Sequence, residues 1–340
     1  MKWYNYIFLI YIVSGIILII SFLLTISLGA VVIPVRTVWG VMMTTISSGT
    51  VVEDWPVGHA AIVLDLRLPR AFLAVLVGAG LALTGTVLQA VTRNPLADPH
   101  LLGISSGAAF GAILALLHTG LFLGLATVPF LAFLGALAAT FLVLGIARAA
   151  QAMSAERMVL AGVAVSFIIM ALANFLIFLG DPRASHMAIF WMLGGLGLVQ
   201  WSHLIWPILV LVPAAGWLLR HAEDLNAMTL GDETAVTLGI PAERFRLLVF
   251  TASAVMTGTM VAFSGIIGFV GLMVPHIMRM IVGGDHTRLI PAVMLAGAVL
   301  LLWSDLLARL LLAPEDLPIG VVTGLLGGVF FLWLLRRGRI

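Results

Sequence analysis

Residues 101–147 of this chain run for 47 positions without an Asp, Glu, Lys or Arg. Residues 3–35, 158–180 and 247–278 are further charge-free runs. A helix needs about 20 apolar residues to cross a bilayer, and inside lipid every backbone polar group must find its partner within the protein. Across 340 residues, 62% are hydrophobic and 9% charged, against about 25% charged in a soluble chain. So few charges leave too much apolar surface for water, which excludes a soluble enzyme and makes lipid the solvent. The 35 glycines suit close approach between membrane helices. With no Cys, disulfides, Cys-ligated zinc and thiol catalysis are excluded. A net charge of +2 offers no nucleic-acid surface.

Spans are read between the charges. The first is expected within 3–35, too long for the ~7–15-residue apolar core of a signal segment and therefore an uncleaved span. The second is expected at 71–92. Two more fit in 101–147, broken near 117–120 and at Pro129, and the fifth at 158–180. The second half of 184–219 holds a sixth; its Trp- and Gly-rich first half, 190–195, looks interfacial. Residues 220–246 then carry Arg220, Glu223, Asp224, Asp232, Glu233, Glu243, Arg244 and Arg246, the most polar segment in the chain. Spans at 247–278, 289–311 and 317–335 follow.

Parity sets the count. Lys/Arg excess marks the cytoplasmic side, so Lys2 at one end and Arg336, Arg337 and Arg339 at the other place both termini there. The number of spans is then even, and 247–278 must hold two helices reversing near 264–268, one of them short and reaching about residue 283. The total is ten, in one membrane domain over 1–340. This arrangement puts twelve basic residues inside and five outside, Arg36, Arg67, Arg70, Arg183 and Arg309. Thr84-Gly85-Thr86 recurs as Thr257-Gly258-Thr259 in an oppositely directed span, a faint inverted repeat.

No ionisable residue falls near a predicted span centre. Ion-coupled carriers keep carboxylates or His inside the membrane to carry the coupling ion, so the energy source is expected outside this chain, with 220–246 as the place where a partner attaches. An ion-coupled secondary carrier and a non-transporting membrane scaffold are the alternatives. No His-Glu-x-x-His run and no paired intramembrane carboxylates are present. Gly103-Ile104-Ser105-Ser106-Gly107 places Ser between glycines, but no base stands in that span, and it reads as small-residue helix packing. His276 has Met280 at i+4 rather than a second ligand. Neither a catalytic residue nor a metal site is expected.

Several segments together carry a resemblance. They are Arg67-Leu68-Pro69-Arg70, Arg93-Asn94-Pro95-Leu96-Ala97-Asp98-Pro99, the run from Leu102 to Ala108, and Ser264-Gly265-Ile266-Ile267-Gly268-Phe269-Val270-Gly271-Leu272. Val274-Pro275-His276-Ile277-Met278-Arg279, Ser304-Asp305-Leu306-Leu307-Ala308-Arg309 and Leu317-Pro318-Ile319-Gly320-Val321-Val322-Thr323 complete the set. In this order they closely resemble the FecCD-type permease subunits of bacterial ABC importers for iron–siderophores, haem and vitamin B12. The resemblance runs from about residue 60 to the C-terminus; the first 55 residues match only as a generic span.

The resemblance implies an all-α, ten-span type II ABC importer permease with inverted-repeat halves, in the bacterial inner membrane, working as a homodimer. Two cytoplasmic ABC ATPases and one periplasmic or lipid-anchored substrate-binding protein would complete it. ATP and Mg would sit on the ATPase, and this chain would bind no cofactor and catalyse nothing. Arg67, Arg70 and Arg309 match the family's outward arginines that receive acidic residues of the binding protein; the alternatives are snorkelling to headgroups or, for Arg309, pairing with Asp305. The segment about 222–244 resembles the ATPase-coupling segment. It reads as two short helices joined at Gly239, with Asp232 as an N-cap and Pro241 at N1. Glu233 and Thr234 would face the partner, and Ala235, Leu238 and Ile240 would make apolar contact. Ser166, Met170 and Asn174, four apart on the fifth span, are expected to line the path or to bond a neighbouring helix. The inner gate is expected at Met153, Ser154 and Ala155. Iron–siderophore is the first cargo expected, then haem and cobalamin.

Overall fold

The protein is described by a computed structural model covering residues 2–46, 54–150 and 155–336. Its helices are α1 (Lys2–Ser27), α2 (Val35–Ile46), α3 (Val57–Ala61), α4 (Leu68–Thr92), α5 (Ile104–Leu114), α6 (Thr127–Ala149), α7 (Ala155–Leu179) and α8 (Pro182–Met192). They continue with α9 (Ile205–Arg220), α10 (Ala222–Leu230), α11 (Asp232–Thr237), α12 (Ala242–Ser264), α13 (Val270–Val282), α14 (His286–Leu310) and α15 (Ile319–Arg336). The one strand segment among the described residues is Phe122–Leu125.

Among the described residues, eight helical segments are long and apolar enough to cross a membrane. The other two of the ten expected spans are the shorter apolar helices Ile104–Thr119 and Val270–Val282, below the about 20 residues a crossing takes. The reversal expected near 264–268 lies between α12 and α13, where Gly265 takes φ +65°. The first charge-free run is split: α1 stops at Ser27, and α2 starts at Val35, just past Pro34.

The second span is longer than expected. Helix is continuous from Gly58 to Thr92, 35 residues, or roughly 52 Å at 1.5 Å per residue. Arg67 and Arg70 therefore lie inside it rather than at its opening. Pro69 has no N–H and would crowd the carbonyl four residues back. The helix widens to a π-turn over Ile62–Arg67, and Leu68 N–H bonds back to Val63 O. That wider turn takes a proline without a break.

α4 is the axis of the bundle and is the most buried of the long helices, with α12, α13 and α14 packed around it. α1 and α7 lie at the periphery, and their outward Phe, Leu and Ile side chains are exposed, as a lipid solvent allows. Close packing against the axis depends on glycine: a Cβ at Gly78 of α4 would stand 2.2 Å from the Gly297 carbonyl oxygen of α14. Gly78→Leu is therefore expected to cost at least about 2–3 kcal/mol through overpacking. Gly216→Leu, with nothing within 4 Å, should melt like the parent in a detergent size-exclusion assay. Equal melting of the two variants would refute the close crossing.

α4 and α14 run antiparallel and share two ends. At one end lie Arg67, Arg70 and Arg309; at the other lie α10, α11 and the start of α12.

Candidate functional site

The polar segment 220–246 folds as an elbow of two short helices, α10 and α11. The joint is Gly231, at φ +119°, not Gly239 as the sequence suggests. Asp232 is consequently the first residue of α11, not its N-cap. Acidic Asp232 and Glu233 still suit the positive end of that helix. Gly239 closes α11 instead: at φ +86° its N–H reaches Val236 O, and Ile240 N–H reaches Ala235 O. This paired C-terminal closure needs a left-handed residue at Gly239. Pro241 precedes α12 as its N-cap rather than standing at N1.

Exposure sorts the elbow residues. Glu233, Thr234, Leu238 and Gly239 are exposed, and Ile240 is half-buried. Ala235 is fully buried and packs inward, a correction to its expected partner contact; it faces the bundle because positions three and four apart share one helix face. Leu230 and Val236, which the sequence reading passed over, are exposed beside Leu238. Three exposed aliphatic residues on a polar segment form the apolar part of the elbow surface.

The elbow is held to the bundle at two points. Asn226 of α10 donates to Asp285 Oδ1 at 2.9 Å and accepts from the backbone N–H of His286 at 2.9 Å. The Asp285 carboxyl, raised by its partial desolvation but lowered more by hydrogen bonds from Asn226 and Thr287 and by nearby Arg288, lies below the usual Asp value. Asp232 of α11 pairs with Arg246 of α12, Nη2 to Oδ1 at 2.5 Å.

At the opposite end lie Arg67, Arg70 and Arg309, the three arginines expected on the outer side, and their side chains turn inward. Arg67 donates to the carbonyls of Ile26 at 2.7 Å, Ser27 at 2.9 Å, and Val31. Arg309 donates to Leu28 O at 3.0 Å and Thr25 O at 2.8 Å. Helix ends leave their last four carbonyls without helical partners; here two guanidinium groups take the carbonyls of 25–28 at the end of α1. The arrangement also sets positive charge on the negative end of the helix dipole. Arg309 Nε and Arg70 Nε each bond one oxygen of Asp305, at 3.0 and 2.8 Å, and Asp305 is 0% exposed. Arg70 also reaches Asp316 at 2.5 Å, at the surface of the cluster. Arg67 and Arg309 are buried, each 8% exposed. The sequence showed the Asp305–Arg309 pair by its i,i+4 spacing, but gave no sign that α1 is the partner of both arginines.

The candidate path residues do not form a single exposed stripe. The Ser166 hydroxyl bonds back to Gly162 O at 2.7 Å, Met170 packs against Ala109, Ile113, Ala173 and Ala188, and Asn174 is exposed. Met153 and Ser154 lie outside the described residues, and Ala155 is the first residue of α7. Ser105 is buried in α5, and Gly107 two residues on packs against the Gly135 carbonyl of α6, as helix packing requires.

The sequence profile of the FecCD transport family matches residues 17–337, beginning inside α1, so the family likeness extends further toward the N-terminus than the motifs alone reach. The hemin transport system permease protein HmuU of Yersinia pestis is 40% identical over 327 residues, 95% of this chain and 94% of that protein. The vitamin B12 import system permease protein BtuC of Klebsiella pneumoniae is 44% identical over 276 residues, 81% of this chain and 82% of that protein. A solved structure described as an inward-facing conformation of a metal-chelate type ABC transporter superposes with a TM-score of 0.82 at 30% identity, covering 96% of this chain and 99% of that one.

Proposed function

Because the chain belongs to the FecCD transport family, and is thereby an ABC importer permease of the bacterial inner membrane, we propose that its cargo is a metal chelate, haem first. The haem permease aligns over 95% of this chain and the vitamin B12 permease over 81%. The longer alignment supports haem first; the higher identity of the vitamin B12 permease, 44% against 40%, keeps a corrinoid as the next candidate, and the iron–siderophore expected first from the family resemblance follows them. The chain is a non-catalytic permease domain of ten spans, counting the two short helices. It binds no cofactor; ATP and Mg are held by the ATPase.

The observation that carries the reading is the elbow: exposed Leu230, Val236 and Leu238, beside Glu233 and Thr234, on two short helices anchored to the bundle. An apolar patch rimmed by polar groups marks a partner surface, and the cytoplasmic ATPase is its partner. The elbow face is cytoplasmic, together with both termini, a reading supported by the excess of arginine near it. The face with Arg67, Arg70 and Arg309 receives the binding protein, whose carboxylates compete with Asp316 for Arg70. A second copy packs against the exposed side of α7, where Phe167, Phe175 and Phe178 project.

Asn174 is the residue of the α7 stripe most available to the path, and 153–155 the gate before it. The chain has no Cys, so single Cys residues at 166, 170 and 174 can be probed with a water-soluble thiol reagent. Position 174 should label, with a rate that changes on trapping ATP, and 170 should stay protected. Protection at all three positions in every nucleotide state would take the stripe off the path.

Reconstitution tests the whole reading. Proteoliposomes should take up haem only with the ATPase, the binding protein and ATP on the elbow side. Uptake by the chain alone on an ion gradient would show a secondary carrier, and no uptake under any condition would leave a scaffold.

A further inference from the structure

We propose that Arg246 is the positioning residue through which the elbow moves the core of the permease. The inference rests on the reading of the elbow as the segment that meets the ATPase. Arg246 is buried, 3% exposed, in the second turn of α12. One arm of its guanidinium holds Asp232 at the start of α11, at 2.5 Å. Nε holds the carbonyl of Val91 in the last turn of α4, at 3.2 Å. A single side chain thus joins the moving knob, the helix that follows it, and the axis of the bundle.

The surroundings explain why such a tie is needed. α10 is pinned to α14 through Asn226, but α11 follows Gly231, whose φ of +119° belongs to a residue with wide backbone freedom. Ala235 seats α11 on the bundle, but without Asp232–Arg246 the start of α11 would swing about Gly231 and part of a push from the partner would be spent there. With it, the push reaches α4. The same turn of α4 is gripped by α13: Gln89 donates to Gly271 O at 3.0 Å and accepts from Arg279. The end of α4 is therefore the point where α11, α12 and α13 meet. A guanidinium suits this role because its rigid fork serves two acceptors at once, whereas an ammonium is a single point charge.

The test uses the full complex of permease, ATPase and binding protein in nanodiscs and proteoliposomes. Spin labels at Leu96 and Thr237, both exposed and in a chain without Cys, report the distance between the end of α4 and α11. In the parent this distance should be narrow and the same in the nucleotide-free and vanadate-trapped states. Arg246→Gln should broaden it and lower haem transported per ATP hydrolysed at least tenfold, with basal ATP hydrolysis within twofold of the parent. Arg246→Lys should fall between, and Asp232→Asn should broaden the distance. If Arg246→Gln does not assemble, the Lys and Asn variants decide. A narrow distance with full transport per ATP in those variants overturns the proposal. So does a loss of transport and hydrolysis in equal proportion, which is what a merely structural residue gives. Cross-linking from Cys placed at 238 to the ATPase separates the two levels. No cross-link in the parent removes the elbow reading itself; a cross-link with variants that stay coupled removes only the role of Arg246.

Discussion

Asp305→Ala is expected to cost the folded permease about 3–5 kcal/mol, the usual loss when a buried ion pair keeps one side only. The carboxylate is 0% exposed and faces Arg70 and Arg309 on separate oxygens. Its removal leaves two guanidinium groups in a poorly solvated corner, with Arg67 as a third positive charge nearby. Nothing else described neutralises them there except Asp316 at the rim. Because Arg309 also caps Thr25 and Leu28, the damage should spread to the end of α1. Melting in detergent, followed by size exclusion, gives the readout. Asp305→Asn keeps shape and one acceptor and should lose less. Melting of the Ala variant within about 0.5 kcal/mol of the parent, the range of an inert surface change, would show that the cluster carries no weight. The same geometry bears on docking: Arg67→Glu with Arg309→Glu would set carboxylates against backbone carbonyls, so a loss of binding-protein response in that variant must be read beside its melting curve.

A second large effect is expected at the elbow. Val236→Asp combined with Leu238→Asp should weaken ATPase association at least 100-fold. Burying a Val or Leu is worth about 1.5–3 kcal/mol; two such losses amount to roughly 3–6 kcal/mol, or about two to four decades in Kd. Both side chains are exposed in the permease, so its own melting should not move. Titration of the ATPase onto permease nanodiscs measures the change, and binding within threefold of the parent would move the ATPase surface elsewhere. Ala235→Asp is the contrast: its position is buried, so a charge there should unfold the elbow and lower stability as well as binding.

The sequence carried the class of the molecule and most of its helices. Charge-free runs located the long apolar helices, and parity placed a short one after the 264–268 reversal, where α13 stands. What it missed has local causes. The helix that starts near 57 was hidden because Arg67, Arg70 and Pro69 read as a boundary, whereas a π-turn carries the helix through them. In the elbow, Gly231 and Gly239 both punctuate, and spacing alone does not say which one joins two helices and which one ends the second. Ala235 and Val236 are neighbours of similar character, yet one is buried and the other exposed, because the joint at Gly231 sets the rotation of α11.

By itself the sequence determined that this chain lies in lipid as a bundle of helices with one polar elbow. Helical hydrogen bonds close within a few residues, and lipid leaves the backbone only helices or closed barrels; long continuous apolar runs select helices, so local composition is enough to find them. Only the tertiary structure decided what each arginine does. Arg67 finds its carbonyls about 40 residues away in the chain and Arg309 some 280 away, while Arg246 reaches across 155 residues to Val91. A guanidinium of fixed charge takes whichever acceptors the packed helices bring within reach, and no spacing along the chain encodes which those are.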